Sequence, residues 1–115
     1  MYEIGQYRKN NGTSPFEEWY ESLKDIKIKV KIATRLDRVK LGNFGDFKSL
    51  KGGLYELREH YSPGYRIYYG LSDGSNKLVL LLAGSTKGDQ EKMIKTARKY
   101  LTDWRNRQNE CHKTV

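Results

Sequence analysis

The spacing of apolar positions changes character several times along the chain, and each change predicts an element. Tyr2 and Ile4 alternate weakly with polar residues between Met1 and Arg8, which suits a short first strand. Asn10-Asn11-Gly12 reads as a turn. Ser14-Pro15-Phe16-Glu17 is a helix start, with Ser14 as cap, Pro15 at the first helical position and Glu17 completing a capping box. Phe16, Trp19, Tyr20 and Leu23 then share one helical face. From Asp25 the pattern fits two periods. Ile26, Ile28, Val30 and Ile32 alternate as in a strand, but Ile28, Ile32, Leu36 and Val39 form a helical stripe, and only the helical period continues past Ile32. A second helix is therefore expected over Asp25 to Leu41, stopped by Gly42.

The second half is strand-rich. Gly42 to Gly53 is loop-like, with a short strand around Phe47 to Leu50. Leu54 to Tyr61 and Tyr65 to Gly70 read as strands joined by Ser62-Pro63-Gly64, and Ser72 to Asn76 as a second turn. Leu78 to Ala83 is a continuous apolar run, as in a strand covered on both faces. Asp89 is placed to cap a last helix with a stripe of Met93, Ile94, Ala97, Tyr100, Leu101 and Trp104. The stripe ends there, so residues 105–115 are expected to fray. The fold class is α+β: a small antiparallel sheet with helices covering a face.

Composition narrows the partners. With 115 residues, one domain is the default. The net charge is +8, and between Lys24 and Arg58 ten Lys or Arg residues stand against four Asp or Glu. Such a balance fits a polyanionic partner, though a solvated basic face gives the same count. The single cysteine, Cys111, closes no intrachain disulfide, and the apolar run Leu78 to Ala83 is far short of a membrane span. With no leader-like N-terminal segment, a cytoplasmic protein without a membrane partner is expected. His60, His112 and one cysteine make no metal-ligand spacing, and no phosphate-cradling glycine loop or Gly-x-Ser-x-Gly occurs, so no cofactor is expected.

The hairpin from Leu54 to Tyr69 carries the candidate chemistry, with Arg58, His60, Arg66 and five tyrosines in sixteen positions. A two-residue loop at Pro63-Gly64 would mix charged and apolar groups on each face. A three-residue loop, Ser62 to Gly64, sorts them. It sets Tyr61 opposite Tyr65, His60 opposite Arg66 and Arg58 opposite Tyr68, with Glu56, Arg58, His60, Arg66 and Tyr68 on one polar face. Two guanidiniums on a face left uncovered by helices could hold one phosphate, and Tyr68 could stack on a base. A solvated face balanced by Glu56 and Glu59 has the same pattern.

Three segments resemble the RelE/ParE toxin superfamily, and within it the HigB-like branch of phage-derived addiction-module killer proteins. They are Lys48-Ser49-Leu50-Lys51-Gly52-Gly53-Leu54-Tyr55-Glu56-Leu57-Arg58, Pro63-Gly64-Tyr65-Arg66-Ile67-Tyr68-Tyr69, and Leu80-Leu81-Leu82-Ala83-Gly84-Ser85-Thr86-Lys87. The similarity spans about residues 1–104. It implies antiparallel strands packed by two N-terminal helices and one C-terminal helix. It further implies the toxin of a type II toxin–antitoxin pair, cleaving mRNA without metal, usually on the ribosome. The implied catalytic groups are Arg58, Arg66 and Lys87, with His60 and Tyr61 as local candidates for the general base and Lys48, Lys51 and Tyr68 for holding RNA. The implied partners are mRNA, the ribosome and a cognate, DNA-binding antitoxin. Three functions stay open on the sequence: an mRNA endoribonuclease, a ParE-like toxin that blocks DNA gyrase by binding, and a non-catalytic RNA-binding protein.

Overall fold

Ser14 begins the first helix as its position predicts: its Oγ accepts the Glu17 N–H at 3.1 Å, and Pro15 occupies the first turn. The computed structural model describes residues 1–73 and 77–113. Along them run β1 (Glu3–Gln6), α1 (Pro15–Ser22), α2 (Ile26–Lys40), β2 (Phe47–Ser49), β3 (Leu54–Glu59), β4 (Tyr65–Asp73) and β5 (Lys77–Thr86). A 3-10 turn (Lys87–Asp89) then leads into α3 (Gln90–Lys113). The helical period wins in α2, where Asp25 caps the Lys27 N–H and Ile28, Ile32 and Val39 are buried. The expected turn at Ser72 to Asn76 lies partly outside the described residues.

The fold is α+β, with one five-stranded sheet in the order β1-β5-β4-β3-β2. The late strands pair antiparallel, as their short connections require, but β1 joins β5 in parallel, so the sheet is mixed. Helices α1 and α2 cover one face over Leu57, Ile67, Tyr69, Val79 and Leu81. Helix α3 covers the other, over Leu54, Tyr68, Leu80, Leu82 and Ala83. The apolar run of β5 feeds both cores, and a bulge at Tyr68/Tyr69 lets Leu82 and Ala83 turn to the same side. Gly84 faces α1 so closely that a Cβ there would fall 2.1 Å from the Trp19 ring.

The chain stays helical past Trp104, where the apolar stripe ends. Helix α3 continues to Lys113, held by Arg107, which donates to the Arg8 carbonyl at 2.6 Å and pairs with Asp103. Tyr7 donates to the same Asp103 at 2.6 Å and stacks on Tyr100. Among the described residues no helix is long and apolar enough to cross a membrane.

Candidate functional site

The β3–β4 ladder sets the site. Its register is two residues away from the sequence expectation: Arg58 opposes Arg66, Glu59 opposes Tyr65 and Glu56 opposes Tyr68. His60 and Tyr61 leave the ladder and lengthen the loop. A slip of two keeps every side chain on its expected face, so Glu56, Arg58, Arg66 and Tyr68 still lie together. Across β4 the rows continue into β5, where Ser85 opposes Arg66 and Ala83 opposes Tyr68.

That face is not open, contrary to expectation, because α3 lies over it. Glu56 and Tyr68 have no exposed surface, and Arg66 retains 4%. The Tyr68 hydroxyl sits 2.8 Å from Ser85 Oγ, which gives its own proton to the Thr86 carbonyl. Tyr68 must therefore donate to Ser85. Burial holds its hydroxyl above the ordinary phenol value, so it is neither a base nor a stacking platform for RNA. The buried Glu56 carboxylate is balanced by Arg58 Nε at 3.1 Å and by the Gln90 amide, which reaches both oxygens at 3.0 and 3.1 Å. Nothing in the sequence pattern singled out Gln90. Its role follows only from where the 3-10 turn delivers the start of α3.

At the hairpin end the polar layer opens into a pocket of about 420 Å³ lined by Arg58, His60, Gly64, Arg66, Lys87 and Gln90, among others. All four sequence-predicted catalytic candidates thus meet at one opening. Gly64 brings the loop in, since its carbonyl accepts the Lys87 N–H at 3.0 Å and a Cβ on it would come within 3.3 Å of Lys87 Cβ. The charges there are unequal in their support. Arg58 has Glu56. Lys87 is exposed and takes no carboxylate among the described residues. Among the described residues the Arg66 side chain makes one hydrogen bond, to the Tyr65 carbonyl at 3.1 Å, and its buried Nε has no partner. Arg58 and Arg66 therefore share one rung, and among the described residues a carboxylate pairs with Arg58 alone, an arrangement that costs energy unless an anion relieves it.

His60 lines the pocket, but its Nε2 is hydrogen-bonded to Asp46 on the loop before β2. That bond, with Arg58 and Arg35 nearby, holds the Asp46 carboxyl below its usual value. Lys48 and Lys51 are exposed but do not line the pocket. Lys48 lies on the edge strand opposite Glu56, and Lys51 sits in the turn at the far end of β3.

No family model matches the chain. An uncharacterized protein of Haemophilus influenzae is 43% identical over 86 residues, covering 75% of this chain and 85% of that relative. The chain belongs to the family of that protein. The shared stretch carries no functional description to this chain, so the chemistry of the pocket is the guide to what it does.

Proposed function

We propose that this protein is a toxin-type endoribonuclease that holds the phosphate backbone of mRNA in the pocket at the hairpin end. The observation that carries this reading is the Arg58–Arg66 rung beside Lys87, a cluster of three cations with one compensating carboxylate. The chain's charge of +8 and the segment-level resemblance to RelE/ParE toxins agree with it.

In this mechanism the RNA 2′-OH attacks the adjacent phosphorus and the P–O5′ bond breaks. The products are a 2′,3′-cyclic phosphate and a 5′-OH, without a covalent enzyme intermediate. Arg58 and Arg66 stabilise the added charge on the phosphorane-like transition state, each such donor being worth about 10²–10³ in rate. Lys87 neutralises the leaving 5′ oxygen. His60 moves the proton once it lets go of Asp46. The ribosome shares the work of holding the mRNA in line, and a cognate antitoxin covers the basic opening.

A second reading, RNA binding without cleavage, is favoured by the deep position of Arg66 and by the tie between His60 and Asp46. One experiment separates the two: incubate the purified protein with mRNA, free in EDTA and on programmed ribosomes in magnesium buffer, and analyse the RNA ends. Cyclic phosphate and 5′-OH ends support cleavage. RNA retained by the protein but left intact supports binding alone, and RNA neither cut nor retained sinks both.

A further inference from the structure

Strand β3 delivers side chains to two openings at the same end of the sheet. Arg58 lines the pocket on the α3 side, and its neighbour Glu59 lines a second cleft, of about 330 Å³, on the α2 side. The two are joined at one residue pair, since His60 lines the first and bonds Asp46, which lines the second.

The second cleft has the composition of a nucleotide site. Its carboxylates are already engaged, Glu59 by Arg35 and Asp46 by His60. Its outer cations are not, because Lys31 and Arg38 take no carboxylate among the described residues. Tyr61 lines the same cleft, 42% exposed where every other aromatic ring but Phe47 is buried or half-buried, with the Lys31 ammonium 3.4 Å from its ring centroid. An exposed aromatic ring in a cleft that also holds Lys31 and Arg38 suits a base and its phosphate. An acidic peptide would engage the charges but leave the ring without a role.

We propose that this cleft is a flanking-nucleotide subsite for single-stranded RNA, in which Tyr61 stacks on a base and Lys31 and Arg38 neutralise the adjoining phosphate. A strand leaving the Arg58–Arg66 pocket crosses the His60–Asp46 pair to reach it. The inference rests on the RNA reading of the first pocket and extends its substrate from one phosphate to a strand that wraps the hairpin end.

The test uses 2′-O-methyl RNA, which cannot attack its own phosphate, so binding is read apart from chemistry. Two probes are compared: a single strand of about 12 nucleotides, within the usual span of such grooves, and a trinucleotide that fills the first pocket alone. Tyr61→Ala is expected to weaken the long strand at least about fivefold and to leave the trinucleotide within about twofold, while Tyr61→Phe keeps both. Lys31→Ala is expected to lower the salt dependence of long-strand binding by about 0.7 in the log–log slope. Amide resonances of Lys31, Arg38 and Tyr61 should move with the long strand only. The subsite is overturned if Tyr61→Ala leaves long-strand affinity unchanged or weakens both probes equally. It is also overturned if those amides ignore RNA and respond instead to an oligoglutamate peptide. The first pocket fails separately, if Arg66→Met alters neither probe.

Discussion

Two buried arginines, on opposite faces of the same end of the sheet, have opposite surroundings. Arg35, rising from α2, spends its guanidinium fully: it donates to the carbonyls of Phe44, Asp46 and Arg58 and pairs with Glu59 at 2.5 Å. It bolts the loop before β2 to the end of β3. Among the described residues Arg66 has one carbonyl, an unpaired Nε and another guanidinium across the rung. The first pattern is what folding alone asks of a buried charge. The second is a cost that folding gains nothing from, and such costs gather at functional sites.

Substitution should separate the two most sharply by stability. Arg35→Ala strips the half-buried Glu59 carboxylate and three carbonyls of their donor, and is expected to lower unfolding free energy by about 3–5 kcal/mol in a denaturant titration. Arg66→Met removes an uncompensated cation, so its stability should stay within about 1 kcal/mol of the parent, or rise. RNA cleavage by the same variant should fall about 10²–10³-fold. A large loss of stability in Arg66→Met would break the contrast, because Arg66 would then be structural as well.

On the α3 face the unpartnered Arg66 Nε lies at the open end. Further along, Tyr7 is satisfied, and burial together with Asp103 pushes its hydroxyl up from the ordinary phenol value of 10.0 to about 12. The folded state therefore holds this proton more tightly than the unfolded chain does. The resulting stability is fully present below pH 10 and is lost as pH rises toward 12. Tyr7→Phe should flatten that alkaline decline by up to about 2–3 kcal/mol, read from stability measured across the window. On the α2 side the packing is tight enough that Gly84→Ala, driven into Trp19, should cost about 1–3 kcal/mol with RNA binding intact in the folded fraction.

Much of this was legible in the pattern of residues, and the parts that were not share a cause. Alternation fixed which face each hairpin residue takes but not its rung, since a two-residue slip leaves the pattern unchanged. Arg58 therefore meets Arg66 rather than Tyr68. The stripe from Met93 to Trp104 showed that α3 packs on something, but not that it seals Tyr68 and Glu56 beneath it. The weak alternation around Ile4 carried no strand direction, and the anchoring of residue 107 to Arg8 is a contact across the whole chain. Arg35 and Gln90 were silent for the same reason: a long-range partner gives a residue its role and leaves no local period.

We propose that the Arg58–Arg66 rung holds the phosphate backbone of mRNA during cleavage. The most direct measurement is the map of mRNA 5′ ends in cells after induction of the parent protein and of folded Arg66→Met. Position-specific cuts within translated frames for the parent, absent for the variant, are expected. Cuts that persist in the variant, or a parent that arrests growth and leaves every message whole, would contradict it.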